Sequence, residues 1–83
     1  MPKFMDVHHM EGAVSASDVA KAHQADLETQ DQYGVSYERY WVDEKAGKIF
    51  CLVDAPDADT AHRVHSEAHG PVADEIYEVQ EGS

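Results

Sequence analysis

Only six lysines and arginines stand against seventeen aspartates and glutamates in 83 residues, a formal net charge of −11 at neutral pH. A domain so poor in positive charge repels phosphate, which argues against nucleic acid as a partner and against anionic membrane surfaces. The single cysteine, Cys51, excludes an internal disulfide and an all-cysteine zinc site within one chain, and it suits a reducing compartment. Large aliphatic and aromatic side chains are scarce as well. Leu, Ile and Phe occur twice each, against eleven Ala and nine Val. The core that such a chain builds alone is thin, so self-association is an early expectation. No apolar run approaches the length of a membrane-spanning helix, and there is no glycine-rich phosphate loop or nucleophile elbow. The opening Met1-Pro2-Lys3-Phe4 lacks the apolar stretch of a secretory signal, so the expected location is the cytoplasm. Linkers and repeats are missing too. The reading is one domain over residues 1–83, with 81–83 a frayed tail.

What is present falls into six segments. Lys3 to Met10 alternates as a strand, with Met5, Val7 and His9 on one face and Phe4, Asp6, His8 and Met10 on the other. Ser15 followed by Asp18 fits a helix start, Val19, His23, Leu27 and Gln30 recur at helical spacing, and Gly34 supplies the stop. Val35 to Asp43 is rich in aromatic and β-branched residues, Glu44 to Gly47 forms a hairpin turn, and Lys48 to Asp54 is apolar on both faces. Asp57 caps a second helix that runs to His69 before Gly70 and Pro71, and Val72 to Val79 is the last strand. The order β-α-β-β-α-β predicts a ferredoxin-like α+β sandwich with an antiparallel sheet in the order 4-1-3-2. Its third strand, apolar on both sides, belongs in the middle. Helices then cover one sheet face, and a second copy of the chain is the economical cover for the other.

Chemistry is concentrated in the histidines. His62, His65 and His69 share a stripe of the second helix, and His65 and His69 at i, i+4 are placed to chelate one ion. His8 and His9 end the first strand, at the edge where this topology also brings the end of the second helix, with Glu11, Asp74 and Glu75 nearby. Neutral imidazoles among carboxylates suit a divalent first-row ion such as Ni²⁺, Zn²⁺, Cu²⁺ or Co²⁺. Asp6, alternating with His8, reads as an orienter or a direct ligand. Consecutive residues of a strand face opposite ways, however, so His8 and His9 do not normally share an ion within one chain. Cys51 reads as an inert core residue, His23 as a core-facing hydrogen-bonded histidine, and Tyr37, Tyr40 and Trp41 as packing.

Several stretches carry a resemblance that covers nearly the whole chain. They are Phe4 to His8, Ala22-His23 with Asp26-Leu27 and Gln30, Gly34-Val35, Tyr40-Trp41 with Asp43-Glu44, Phe50-Cys51-Leu52, Ala55-Pro56, and Val64-His65 with Ala68-His69-Gly70. In these the chain resembles a small actinobacterial family of ferredoxin-like domains, the nickel-binding, nickel-responsive type of Streptomyces. The resemblance implies the fold, a homodimer and Ni²⁺ binding. Its pattern includes His8, His23, His65 and His69, whereas His9 and His62 are additions in this chain.

The reading is therefore a non-enzymatic cytoplasmic protein that sequesters or buffers nickel, or responds to it. His8, His65 and His69 are the leading ligands, and His9, Asp6 and water or carboxylate complete a roughly octahedral shell. The alternative is a small dimeric oxygenase or isomerase, with His8 as general base, Asp6 as its orienter and Tyr40 as acid. The thin core and the two-sided apolarity of Ile49 to Val53 lead to the first prediction. Sedimentation at micromolar concentration is expected to give a dimer, and a monomer there would overturn it.

Overall fold

Seven residues of mostly alternating burial, Lys3–His9, form strand β1 at the centre of a four-stranded sheet. The structure is a computed structural model that describes residues 2–12, 14–70 and 73–82, with His69 described by its backbone alone. After β1 come helix α1 (Ala16–Thr29), a 3-10 turn (Gln30–Tyr33), β2 (Ser36–Asp43), β3 (Lys48–Asp54), helix α2 (Ala58–His69) and β4 (Glu75–Val79). The sheet order is β2-β3-β1-β4, all antiparallel, which is the predicted 4-1-3-2 order of the ferredoxin-like sandwich. Val72, the expected start of the last strand, lies outside the described residues; the strand itself begins at Glu75.

The helix starts follow the local chemistry of the sequence. The Ser15 hydroxyl accepts the Asp18 N–H at 3.1 Å, and the Asp57 carboxylate accepts the Thr60 N–H at 2.8 Å. The last turn of the predicted first helix tightens into the 3-10 form before Gly34, whose φ of +64° is the left-handed conformation that ends it. Both helices pack on the same face of the sheet. Between them and the sheet lies a core of mostly small and medium side chains with two aromatic rings: Phe4, Val35, Tyr37, Cys51, Val53, Ala55, Ala61 and Val64. The opposite face carries Met5, Phe50, Leu52, Trp41 and Tyr77, with Trp41 48% and Tyr77 52% exposed.

One irregularity positions the site. The pairing of β2 with β3 slips between Tyr37 and Arg39, so Tyr37 stands opposite Val53 while Tyr40 stands opposite Cys51. Strict alternation would put Tyr37 and Tyr40 on opposite faces. The bulge turns both toward the helices.

The β1–α1 connection is tied to the β2–β3 turn. Met10 N–H donates to Gly47 O at 2.7 Å, Val14 N–H to Glu44 O at 3.2 Å, and Ala16 N–H to Glu44 Oε2 at 3.0 Å. This seam requires glycine at position 47. Its φ is +68°, and a Cβ there would lie 2.2 Å from Gly12 O and 2.9 Å from Met10 O. Gly34 shares the positive φ but has open space around it. Gly34→Ala is therefore expected to cost about 1 kcal/mol of stability. Gly47→Ala is expected to cost more than ~2 kcal/mol, because backbone oxygens must also move. Equal losses in urea unfolding would show that the seam has no steric role.

Candidate metal centre

The alternation of β1 sends Phe4, Asp6 and His8 toward the helices, and its partner β3 sends Ile49, Cys51 and Val53 the same way, since Asp6 pairs with Cys51 and His8 with Ile49. Helix α2 lowers His65 onto this layer from above. The result is a buried cluster of Asp6, His8, Cys51 and His65, whose ligand atoms all lie within 4.8 Å of one another. Asp6 is 0% exposed and His65 1%.

His65 is held at both ring nitrogens. Nδ1 lies 2.8 Å from Asp26 Oδ1, and Nε2 lies 2.9 Å from Asp6 Oδ2. A carboxylate can only accept, so both nitrogens donate and the ring is an imidazolium. Burial alone would lower its pKa, but hydrogen bonds to Asp26 and Asp6 outweigh that and raise it to about 9. Burial pulls Asp6 the other way, upward, and is in turn outweighed by the hydrogen bond and charge of His65, with the neighbouring His8 ring acting in the same direction; its carboxyl is held well below the usual range. Tyr37 closes the far side. Its hydroxyl donates to Ala61 O at 3.0 Å and approaches Asp6 Oδ2 at 3.4 Å. Burial pushes the Tyr37 hydroxyl and the Cys51 thiol strongly upward, helped by the Asp6 charge, so both keep their protons.

Asp6 Oδ1 is left over. It lies 3.3 Å from His8 Nε2, off line for a hydrogen bond, and has no hydrogen-bond partner among the described residues. A buried carboxylate oxygen without a donor is costly unless something positive approaches it. That gap, with an imidazole and a thiol on either side, fits a metal ion. Ligand atoms about 2 Å from an ion sit at most roughly 4 Å apart, so the cluster is close to the size of one coordination sphere. Asp26 would keep its bond to Nδ1 and aim Nε2 at the ion, the usual carboxylate–histidine–metal arrangement.

A cavity of about 330 Å³ opens against the same cluster, bounded by α1, the sheet and the β1–α1 connection. His8, Cys51, His65 and Asp26 line one end of it, and His23 and Tyr40 stand on its wall with ring centroids 4.6 Å apart. Burial lowers the His23 pKa below its ordinary value.

Of the residues expected from sequence, the structure brings together Asp6, His8 and His65. His9 faces the other side of the sheet, where Nε2 meets Glu75 Oε1 at 2.6 Å and its N–H meets Asp74 Oδ2 at 2.6 Å. The edge predicted to gather Asp74 and Glu75 beside the end of the first strand does so, but away from the buried cluster. The side chain of His69 lies outside the described residues. Two participants were not expected. Cys51 is buried as predicted, yet its sulfur belongs to the cluster. Asp26 stands in the sequence reading only among the residues of the resemblance, with no role there, although a carboxylate on the stripe of Val19 and His23, which α1 turns toward the sheet, is the available signal.

The charged triad yields a pH prediction for metal-free protein. The folded pKa of His65 lies above its unfolded value of ~6.5, so its stabilisation is complete below that pH and is lost as pH rises through about 9. For Asp6 the folded value is depressed, so its stabilisation is present above the ordinary carboxylate range and is lost in acid. Melting temperature in the presence of chelator is expected to plateau between about pH 4.5 and 6.5 and fall toward pH 9, by the equivalent of about 3 kcal/mol. Asp26→Asn should lower the plateau and shorten the alkaline decline. A flat profile to pH 9 would mean that the ring is neutral.

Comparison with known proteins agrees with this site and fold. No curated protein matches the sequence. The crystal structure of SCO4226 from Streptomyces coelicolor A3(2) superposes with a TM-score of 0.90 at 40% sequence identity, covering 98% of this chain and 99% of that one. Residues 4–79 match the family described as nickel responsive protein SCO4226-like. The chain belongs to that nickel-responsive family.

Proposed function

We propose that the protein takes up a divalent first-row transition ion, Ni²⁺ before others, as cargo at Asp6, His8, Cys51 and His65, and that it sequesters or buffers nickel in the cytoplasm as a homodimer. The observation that carries this reading is the burial of Asp6, His8, Cys51 and His65 with their ligand atoms within 4.8 Å of one another, in a cluster where Asp6 Oδ1 has no hydrogen-bond partner among the described residues. A mixed set of imidazole, thiolate and carboxylate suits nickel, zinc, cobalt or copper and not magnesium or calcium. The family's description as nickel responsive is what supports nickel among them. Uptake releases protons from His65 Nε2 and from the Cys51 thiol, because only the deprotonated atoms ligate. The dimer reading is supported by the sheet face that carries Met5, Phe50, Leu52, Trp41 and Tyr77, which no helix among the described residues covers.

The enzymatic alternative needs Asp6 to orient His8 as a base. Asp6 spends its well-formed bond on His65 instead, and its contact to His8 is off line. The cavity is the one feature in favour of organic chemistry, and it is treated separately below.

Calorimetric titration of the purified chain with Ni²⁺ is the test. His8→Ala is expected to weaken binding by about tenfold or more, whereas His9→Ala should change it by less than about threefold. The nickel form should absorb in the near ultraviolet through sulfur-to-metal charge transfer, and Cys51→Ala should abolish that band. Loss of binding in His9→Ala with full binding and no such band in the parent would place the ion on the surface and end this reading.

A further inference from the structure

We propose that the cavity between α1 and the sheet is a binding site for a small uncharged organic molecule, with a one- or two-ring apolar body and a single hydrogen-bonding end. The inference goes beyond nickel binding and does not depend on it, because it rests on the size and lining of the cavity.

Volume comes first. About 330 Å³ lies at the small end of the range of ligand cavities, enough for a compact molecule and too small for a cofactor with a nucleotide. The walls are set by the short side chains that α1 presents to the sheet: Val19 and Ala22 face Ile49 across the gap, where a larger residue would have closed it. Water against such walls finds few partners, so displacing it by an apolar body is favourable. The buried polar groups of the lining are His8, Asp26 and His65, with the half-buried His23 and Tyr40 on the wall. Apolar walls with a few polar groups among them are the pattern of a site that orients its ligand.

Charge narrows the class. Among the described residues lining the cavity there is no Lys or Arg, and the exposed carboxylates of Glu11 and Asp18 belong to its boundary. An anion would meet these carboxylates and a chain of net charge −11. An organic cation would have to shed its water and settle beside the imidazolium of His65, whose charge is already balanced by Asp6 and Asp26. A neutral molecule pays neither cost. Neutral imidazole and phenol groups, such as those of His23 and Tyr40, offer it both a donor and an acceptor.

The experiment uses the full chain, stripped of metal, with phenol and indole as neutral probes and benzoate and benzylammonium as charged counterparts. Amide chemical-shift perturbation is expected to show both neutral probes saturating below ~10 mM, with shifts at Val19, Ala22, Ile49 and Tyr40, and the charged probes binding about tenfold more weakly. Ala22→Leu, which fills the cavity from a helix position that tolerates Leu, should weaken indole about tenfold and leave Ni²⁺ affinity unchanged. Val14→Phe fills the same space from the loop and serves if the helix variant is unstable. The proposal is overturned if neither neutral probe saturates, if the shifts fall on the exposed sheet face around Trp41 and Tyr77, if benzoate or benzylammonium binds as well as its neutral counterparts, or if a folded filling variant binds indole as the parent does.

Discussion

An imidazolium clasped between two buried carboxylates organises this small domain. His65 comes from α2, Asp6 from β1 and Asp26 from α1, so one charged side chain ties together the three elements that form the sandwich. Taking three charges out of water is expensive, and the arrangement survives because each ring nitrogen has its own acceptor. The apolar core around it is made of Val, Ala and a few rings. Such contacts are adhesive but have little directional preference, and a helix could slide on them at small cost. Hydrogen bonds of 2.8 and 2.9 Å have direction. We read the triad as the device that sets where the two helices sit on the sheet, in place of the large interlocking side chains that the composition withholds.

The same economy explains why a metal cluster and a cavity occur side by side. Helix α1 reaches the sheet through Val19, Ala22, His23 and Asp26. Of these, Asp26 is committed to His65, and the others are too short or too polar to fill the space above Ile49 and Cys51. The polar end of the gap is therefore the triad itself, viewed from one side. Asp6 serves the fold with one oxygen and leaves the other uncommitted, so the residue that fixes the helices is also the residue that gives the cluster its open position.

Much of this was legible in the sequence, and the limits have physical causes. The helix starts at Ser15 and Asp57, the stop at Gly34, the hairpin turn ending at Gly47 and the central place of Ile49 to Val53 are local or composition-driven features, and each appears where expected. Alternation placed Asp6 and His8 on one face and His9 on the other, as found. What could not be read was partnership at a distance. Asp26 looks like any helical aspartate until α2 sets a histidine against it 39 positions later. Cys51 in an apolar strand looks inert, and only the register that sets it opposite Asp6 gives its sulfur neighbours. Counting histidines drew attention to the sheet edge, where His9 lies, whereas the site gathers under the helices because one histidine, His65, is buried by tertiary packing.

The bulge at Tyr37 to Arg39 carries an implication for how this site is inherited. Because of that one extra residue, Tyr37 and Tyr40 share a face although three positions separate them. Removing Glu38 would take the bulge with it and leave Tyr37 and Tyr40 on one face by plain alternation, whereas losing or gaining a residue elsewhere in the strand without a compensating bulge would swing part of it over, sending Tyr40 out of the cavity wall or Tyr37 out from under Asp6. The site is thus written partly in residue number and not only in residue kind. Between relatives, a single-residue gap in this strand away from the bulge would be a heavier change than most substitutions around it, and an alignment that moves such a gap for the sake of identity would misplace the wall of the cavity.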